Sequence, residues 1–245
     1  MTAPPDRKTV APFPLEDAHS LIGTIRKAFK SRELSQEVST RGLVNWGKAY
    51  FVLQEFGVAP VEALGGGFHL AIEAKYHDEE RTFVRGVYNA VFGKDPILPT
   101  FKTQDDEHPT AGLLQPFMQL GIPLWVHGPK GSGKSYAVKQ QSDRLGRTML
   151  RVQITHASVP QDLLGDHAAR GGTTFFEYGP LPLAMQNGWI LNVDEISTGP
   201  SDVQFVLHAV LEGNPLVLTA NRGEVIEPKP GFGIVFTDNS LGLGE

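Results

Sequence analysis

The chain has 245 residues, of which 40% are hydrophobic and 20% are charged, and this is the composition of an ordinary globular protein with a core of useful size. Its formal net charge of −5 gives no electrostatic reason to expect a nucleic-acid partner. Because the sequence has no cysteine and no apolar run long enough to cross a bilayer, disulfides and thiolate metal sites are excluded, and we expect a cytoplasmic protein with no membrane partner.

The N-terminal part of the sequence shows the spacing of amphipathic helices. Residues 1–14 are rich in proline and polar residues and are expected to be extended or disordered. Apolar residues then recur at intervals of three and four between Leu15 and Lys30, which predicts a helix. The stretch Ser39-Thr40-Arg41-Gly42-Leu43 offers an N-cap for a second helix, which is predicted to continue through Leu53.

Glycine and proline divide the segment that follows. Gly57 and Pro60 are expected to break the chain and the three glycines at 65–67 to interrupt it again, so a third helix is predicted from Phe68 to Tyr76. A fourth helix is predicted from Asp78 or Glu79 to Phe92. Its inward-facing residues are predicted to be Phe83, Val84, Val87, Tyr88, Val91 and Phe92. Residues 15–94 are therefore interpreted as an all-helical domain.

The pattern changes after a proline-rich, charged stretch at 95–109, which we interpret as a linker. In residues 110–245 short apolar runs alternate with helical periods, whereas Asp166 and His167 are interpreted as loop residues. Predicted strands cover Leu124–His127, Met149–Ile154, Ile190–Val193 and Gly233–Thr237, a helix covers Val203–Leu211, and a hairpin joins Leu216–Leu218 to Glu224–Ile226. These elements predict an α/β fold of three layers with a parallel sheet and a ligand at the carboxyl ends of its strands.

The most specific motif follows the first of these strands. Residues 128–135 fit G-x-x-x-x-G-K-S/T without a mismatch, and the predicted cofactor-binding residues are Gly128, Pro129, Lys130, Gly131, Ser132, Gly133, Lys134 and Ser135. Glycines let successive backbone N–H groups approach a phosphate, and the helix that follows directs the positive end of its dipole at the same anion. Lys134 is predicted to reach the β- and γ-phosphates of ATP, and the Ser135 hydroxyl to bind Mg²⁺. The alternative is a glycine-rich surface turn that carries a lysine.

Two carboxylates come directly after the third core strand. Asp194 is predicted to hold Mg²⁺, directly or through water, and Glu195 to orient and deprotonate the attacking water. Asn239 follows the next apolar strand, where an amide can hold the same water or contact the γ-phosphate without adding charge. The alternatives are two exposed acids at an ordinary strand end and an ordinary turn asparagine.

The C-terminal part of the chain resembles a known family. The resemblance is carried by the phosphate-loop motif, by DLLGDHAARGGTTFFEYGPLPLAMQNGWILNVDEIS at 162–197 and by FTDNSLGLGE at 236–245. This part of the chain resembles the AAA+ ATPases of the MoxR and dynein-related group, and within that group the small AAA+ subunit of aerobic cobaltochelatase. The resemblance covers about residues 110–245, and its motifs are specific.

The resemblance assigns family roles to these residues. It implies that 128–135 is the Walker A motif, that Asp194 and Glu195 form the Walker B motif, and that Asn239 is sensor 1. It also implies that the segment around Phe175–Leu183 is the helix-2 insert and that the predicted hairpin is the one that precedes sensor 1.

The helical domain resembles the lid of the same family, which normally follows the core. The resemblance is carried by two stretches, IRKAFKSRELSQEVSTRGLVNWGKAY and HDEERTFVRGVYNAVFG. It implies that Arg41 belongs to a sensor 2 motif and contacts the γ-phosphate. Here the lid comes first, and the chain stops after sensor 1, before the last core strand and the arginine finger of the family. Either the chain is part of a tandem protein, or it is a rearranged or truncated gene product.

The resemblance implies an AAA+ ATPase that binds Mg·ATP and couples its hydrolysis to the remodelling of a partner protein. It also implies a homo-oligomeric ring, usually a hexamer, and a partner with a von Willebrand factor A domain. The alternative is a nucleotide-binding assembly subunit or fragment with little or no hydrolysis. A third hypothesis, a small-molecule P-loop kinase, is disfavoured by the acid pair Asp194 and Glu195, by the hairpin and by Asn239.

Overall fold

The structure, a computed structural model, describes residues 10–99 and 111–239. The chain divides into two compact units, residues 1–101 and residues 102–245, and each is described by itself. Most of the predicted N-terminal tail, most of the predicted linker and the last six residues of the sensor 1 segment lie outside the described residues. Within the part of the chain that the structure describes, no helix is both long and apolar enough to cross a bilayer.

Residues 10–99, the described part of the first unit, form four α-helices. They are α1 (Leu15–Lys30), α2 (Thr40–Glu55), α3 (Pro60–Ala71) and α4 (Asp78–Phe92). The predictions of α1, α2 and α4 are confirmed, and the Ser39 hydroxyl caps α2 by accepting from the backbone N–H of Gly42 at 3.2 Å. The prediction that Phe83 faces inward is wrong, because Val84 and Tyr88, one turn apart, fill the interior and leave Phe83 38% exposed.

The third helix differs from its prediction. α3 begins at Pro60 and ends at Ala71, so neither a break at the three glycines nor a helix from Phe68 to Tyr76 is found. A short 3₁₀ turn at Glu73–Lys75 follows instead. Proline is well suited to the first turn of a helix, because its missing N–H has no partner there in any case. The proline that was interpreted as a breaker is therefore a helix start.

The three glycines inside α3 are required by close packing. A Cβ on Gly65 would lie 2.4 Å from the carbonyl oxygen of Ile97, and one on Gly66 would lie 2.6 Å from Cδ of Pro99. One on Gly67 would lie 3.0 Å from the indole of Trp46. Glycine lowers helix propensity by about 1 kcal/mol per residue, and here the tertiary contacts outweigh that cost.

Glu73 carries a carboxylate that is completely buried in this unit. His69 Nδ1 lies 2.9 Å from its Oε2, and Arg85 Nε donates to its Oε1. Burial by itself raises the pKa of a carboxyl group, but the hydrogen bonds with His69 and Arg85 outweigh that effect and leave the pKa of Glu73 below its usual value. The ion pair therefore stabilises the folded helical unit most at neutral pH.

Residues 111–239, the described part of the second unit, form a parallel sheet of four strands and two hairpins. Its strands are β1 (Leu124–His127), β2 (Met149–Gln153), β3 (Gly165–Arg170), β4 (Thr173–Tyr178), β5 (Ile190–Asp194), β6 (Leu216–Leu218), β7 (Glu224–Ile226) and β8 (Gly233–Asp238). The parallel sheet has the order β1-β8-β5-β2. Its four strands are those that the sequence predicts, with ends that shift by one residue at most. The predicted α/β class with a parallel sheet is confirmed.

Helices cover both faces of this sheet. They are α5 (Ala111–Gln119), α6 (Lys134–Arg144), α7 (Pro160–Leu164), α8 (Pro180–Asn187) and α9 (Ser201–Leu211). Ile190 and Val235 pack with residues of α5 and α6, whereas their neighbours Leu191 and Ile234 pack with residues of α7, α8 and α9. Successive residues of a strand point to opposite faces, so each buried strand supplies both cores. The three-layer prediction is confirmed.

Besides the parallel sheet, the described part of the second unit contains two antiparallel hairpins. The hairpin of β6 and β7 matches its prediction. The hairpin of β3 and β4 corrects the interpretation of Asp166 and His167 as loop residues, because both lie on β3 and pair with β4. Tyr178 Oη donates to Glu224 Oε2 at 2.8 Å, and this hydrogen bond raises the pKa of Tyr178. The two hairpins therefore contact each other.

We expect Glu73→Gln to lower the free energy of unfolding of the helical unit by about 2 kcal/mol at pH 7, because the charge of the buried pair is lost. A carboxyl group with a lowered pKa stabilises the folded state above its unfolded pKa, and this stability is lost as the pH falls through the folded pKa. The difference from the wild type should therefore shrink below about pH 4. Urea unfolding followed by Trp46 fluorescence, in a Trp125→Phe/Trp189→Phe background, measures it.

The matched control is Glu79→Gln, at an exposed position in the first turn of α4. It should leave the free energy of unfolding within about 0.5 kcal/mol of the wild type. An equal effect of both substitutions, or a Glu73→Gln difference that persists at acid pH, would contradict the assignment.

Candidate functional site

The register of the sheet brings the chemically active segments to one edge. Asp194 pairs with Thr237 across β5 and β8, and His127 pairs with Asp238 across β1 and β8. Because the three strands are parallel and end at the same level, the segments that follow them emerge side by side. The loop after His127, the acid pair and Asn239 therefore meet at the carboxyl edge of the sheet.

The loop at 128–135, the phosphate loop, has the backbone of an anion cradle. Gly131 and Gly133 have φ values of 81° and 78°, in the left-handed region that favours glycine. Gly133 is the residue before α6, and Lys134 and Ser135 are the first two residues of that helix. The first N–H groups of a helix have no partner inside the helix, and its N-terminus carries a partial positive charge. An anion in this loop would contact these N–H groups and lie at the positive end of the α6 dipole.

Lys134 is held by three oxygens of the site. Its Nζ donates to the carbonyl oxygens of Gly128 at 2.8 Å and Pro129 at 2.9 Å, and to Oδ1 of Asn239 at 2.9 Å. Asn239 in turn donates from Nδ2 to Oε1 of Glu195. The amide of Asn239 therefore links the lysine of the phosphate loop to the second carboxylate of the acid pair.

The carboxylate of Asp194 is buried at the centre of the site, with 4% of the residue exposed. Its Oδ1 accepts hydrogen bonds from Ser135 Oγ at 3.0 Å, from Asn192 Nδ2 at 3.0 Å and from the Thr237 hydroxyl. Its Oδ2 accepts from Nε of Arg151 on β2. A buried carboxylate is stable only with such partners, because burial removes its hydration.

Glu195 has an unusual backbone conformation. Its φ is 56°, in the left-handed region, which costs a non-glycine residue about 1 kcal/mol or more. Its N–H donates to the carbonyl oxygen of Thr237 at 2.7 Å, and the 3₁₀ turn Ile196–Thr198 follows it. Such strain is common at functional sites, where the surrounding structure maintains it. Here the turn directs the Glu195 side chain to Asn239.

The donor set of this site fits a magnesium ion. Ser135 Oγ and Asp194 Oδ1 are both hard oxygen donors, and they lie 3.0 Å apart. Among the described residues, no group of three or more His, Cys, Asp or Glu side chains is placed to hold a metal. Magnesium commonly binds to one or two protein oxygens together with phosphate oxygens and water, so a sparse protein donor set is what Mg·ATP requires.

Arg41 lies in the other unit, in the first turn of α2, where it is exposed. The turn that precedes it is fixed by Arg26, which donates from Nε to the carbonyl oxygen of Val38 at 2.8 Å and from Nη2 to the Thr40 hydroxyl at 3.2 Å. The role of Arg41 at a γ-phosphate stays a prediction.

Sequence analysis identified the motif residues of the site and missed three of their supports. Arg151, Asn192 and Thr237 all contact Asp194, but none belongs to a motif. Asn192 carried a detectable signal, since it is a polar residue in the middle of an apolar strand that is buried throughout. Arg151 and Thr237 come from strands that are distant in the sequence, so only the register shows their role.

The sequence of this unit matches a known family. The family described as AAA domain (dynein-related subfamily) matches residues 123–245, which is half of the chain. The match includes the phosphate loop, the acid pair and Asn239.

Several characterised proteins are similar to this chain. Protein NorQ of Paracoccus denitrificans is 34% identical over 141 residues, which are 58% of this chain and 51% of that protein. Aerobic cobaltochelatase subunit CobS of Sinorhizobium sp is 36% identical over 126 residues, 50% of this chain and 38% of that subunit. Protein CbbQ of Hydrogenophilus thermoluteolus is 30% identical over 118 residues, 48% of this chain and 44% of that protein. The chain thus spans about half the length of these relatives, or less.

We expect Thr237→Val to destabilise the second unit by about 2 kcal/mol, because it removes a hydrogen bond to a buried charged group without changing the side-chain shape. Amide hydrogen exchange of β5 and β8 measures this as faster exchange of their slowest amides. Thr174→Val, at an exposed position on β4, is the control and should leave those rates unchanged. Equal exchange in both variants would show that the hydroxyl does not support Asp194.

Proposed function

We propose that this chain, which belongs to the dynein-related subfamily of AAA domains, binds ATP with Mg²⁺ at the phosphate loop and hydrolyses it to remodel a partner protein. Membership of this family implies an ATPase fold and nucleotide binding in general. Hydrolysis by this chain, the magnesium ion and the partner are parts of the proposal. The cytoplasm, which supplies Mg·ATP, is the compartment that this function requires.

A single observation carries the proposal. Two pairs of neighbouring residues, Lys134 with Ser135 and Asp194 with Glu195, lie far apart in the sequence and meet at one edge of the sheet. Ser135 bonds to Asp194 directly, and Asn239 links Lys134 to Glu195. The bond from Ser135 Oγ to Asp194 Oδ1, at 3.0 Å, joins the residues that would share a magnesium ion. An ordinary glycine-rich turn next to an ordinary strand end gives no reason for these contacts.

The residues of the site have separate tasks in this function. The N–H groups of the phosphate loop and the ammonium of Lys134 bind the phosphates of ATP and offset their charge. Ser135 and Asp194 would hold Mg²⁺, which would offset part of the charge of the phosphates. Glu195 accepts a proton from the attacking water, and Asn239, hydrogen-bonded to Glu195, holds the carboxylate and the water in position.

Binding of ATP requires a rearrangement of hydrogen bonds. Lys134 Nζ already donates to three oxygens in this structure, so it exchanges some of them for phosphate oxygens. The bond to Asn239 is readily exchanged, because Asn239 is exposed. Its release from Lys134 frees the amide for the γ-phosphate or the water. We propose that Asn239 reports occupancy of the phosphate loop to Glu195 in this way.

The partner and the assembly follow from the family. We propose a homo-oligomeric ring, in particular a hexamer, that acts on a protein with a von Willebrand factor A domain. In this scheme the helical unit, residues 15–94, is the lid, residues 110–245 are the core, and Arg41 contacts a γ-phosphate that its own core or another core holds. One relative, CobS, is described as a subunit of aerobic cobaltochelatase, so a metal chelatase is one candidate for the remodelled complex.

A second candidate function is a nucleotide-binding assembly subunit with little or no hydrolysis. The observation that favours it is the hydrogen bond between Asn239 and Glu195, which occupies one oxygen of the carboxylate that would accept the proton. If Asn239 also keeps the Glu195 carboxylate from reaching the attacking water when ATP is bound, the chain binds nucleotide without turnover. Steady-state phosphate release by the wild-type protein, measured at concentrations that favour oligomers, separates the two candidates.

We expect Lys134→Ala to reduce the affinity for ATP by at least about 100-fold, because the loop loses the cation that faces the phosphates. Isothermal titration calorimetry with ATP and Mg²⁺ measures this. The control is Lys139→Ala, on the exposed side of the same helix, which should bind like the wild type. Absence of binding heat with the wild-type protein would overturn the proposed function itself.

We expect Glu195→Gln to bind Mg·ATP with an affinity within about threefold of the wild type and to release phosphate at least about 100 times more slowly. The amide keeps the size of the side chain and its hydrogen bond with Asn239 but cannot accept the proton. A coupled phosphate-release assay measures the rate. Glu177→Gln, at an exposed position on β4, should retain wild-type turnover. Normal turnover in Glu195→Gln would refute the role of Glu195 as the base.

A further inference from the structure

The ion pair of Asp194 with Arg151 has no role in the function described so far. Arg151 lies in the middle of β2 and pairs in register with Asn192 of β5. Asp194 is two residues beyond Asn192, on the same face of the sheet, because side chains alternate between the faces. The Arg151 guanidinium therefore reaches along this face to Oδ2 of Asp194.

The two oxygens of Asp194 have partners of different kinds. Oδ1 accepts from three neutral donors, namely the hydroxyls of Ser135 and Thr237 and the amide of Asn192. Oδ2 accepts from a cation, Arg151. Neutral donors orient a carboxylate, whereas a cation also offsets the negative charge of a carboxylate that has lost its hydration on burial. Arg151 thus supplies the charge compensation in this structure.

The two members of the ion pair differ in their exposure. The side chain of Asp194 is 6% exposed, but that of Arg151 is 56% exposed. A long side chain that is more than half exposed can leave its partner at little cost in packing, since its guanidinium finds water as an alternative. The carboxylate has no such freedom. The pair is therefore built so that the cation can be exchanged while the anion stays in place.

We propose that Arg151 is an exchangeable counter-ion that competes with Mg²⁺ for the Asp194 carboxylate and so sets the magnesium concentration at which nucleotide binds; this inference rests on the proposed function. Like charges that share a carboxylate repel each other, and the repulsion is strong where little water separates them. Arg151 lowers the affinity of Asp194 for a divalent cation. Arg151 also reduces the repulsion between the Asp194 carboxylate and the phosphates of ATP when no Mg²⁺ is bound.

The choice of arginine suits this role. A guanidinium carries its charge on a planar group whose N–H donors match the geometry of a carboxylate. Lysine at this position would retain the charge but present it as a compact ammonium on a flexible stem. Methionine fills the space of the aliphatic stem and carries no charge. Arg151→Lys and Arg151→Met therefore separate the charge from the space that the side chain fills.

The competition predicts opposite shifts in two binding measurements. In the first measurement, the affinity for a fluorescent, non-hydrolysable ATP analogue is determined in excess EDTA. In the second, the analogue is held at a fixed concentration, and its binding is followed as free Mg²⁺ is raised. In EDTA, we expect Arg151→Met to bind the analogue about threefold more weakly, because Asp194 then repels the phosphates. With Mg²⁺, we expect half-maximal binding at about fivefold lower free magnesium than in the wild type. Arg151→Lys should lie close to the wild type in both.

Two controls make the result specific. Arg170→Met removes one positive charge from the end of β3 and should leave both measurements at wild-type values. Direct binding of Mn²⁺ without nucleotide, measured by electron paramagnetic resonance, should be tighter in Arg151→Met than in the wild type. Because this second measurement needs no ATP, it tests the ion pair even if the proposed function fails. A further variant, Arg151→Gln, should shift in the same directions as Arg151→Met.

These measurements distinguish competition for Asp194 from a role in which Arg151 only orients Asp194. If Arg151 merely orients Asp194, its loss should weaken binding of the analogue and of Mn²⁺ alike, and the proposal is wrong. An unchanged magnesium requirement in Arg151→Met would also overturn it. If the wild-type protein binds no analogue at any magnesium concentration, the proposed function fails, and the Mn²⁺ measurement alone decides whether Arg151 competes for Asp194.

Discussion

The buried carboxylate of Asp194 is the constraint on which the arrangement of the second unit depends. Ser135 at the start of α6, Arg151 on β2 and Thr237 on β8 all make hydrogen bonds with it. A buried carboxylate is costly without partners, so these contacts favour one relative position of the three elements, although another cation can take the place of the exposed Arg151. The phosphate loop, which is tied to the same helix, is thereby held at a fixed height above the sheet. The buried carboxylate, whose burial costs free energy, is therefore also the group that positions the site.

The exposed half of the site has the opposite character. Lys134, Asn239 and Glu195 are joined by hydrogen bonds that lie in contact with solvent, where each bond contributes little and can be replaced by water or phosphate. A rigid buried cluster therefore lies next to an exposed chain of bonds that can rearrange. An ATPase requires this combination, because the magnesium and phosphate positions must be fixed while the response to the γ-phosphate must change with occupancy.

Much of the fold could be predicted because its signals are local. The four parallel strands are short apolar runs, and the phosphate loop and acid pair follow such runs directly. The errors came where a long-range contact decided the outcome. The glycines at 65–67 indicate a break by propensity, but close approach of Ile97 and Pro99 requires them inside α3. The hairpin of β3 and β4 was missed because its strands alternate weakly and are mostly exposed.

The part of the site that sequence analysis could not supply is the part that depends on strand register. In MLRVQI, Arg151 is one charged residue between apolar neighbours, the usual pattern of a strand with one solvated side chain. Its meaning changes only when β2 is placed beside β5 in parallel, because Arg151 then pairs with Asn192 and reaches Asp194. A register shifted by one residue would send the same side chain to the other face. Motifs therefore give the groups that contact the ligand, whereas the charge that balances those groups is a property of the folded sheet.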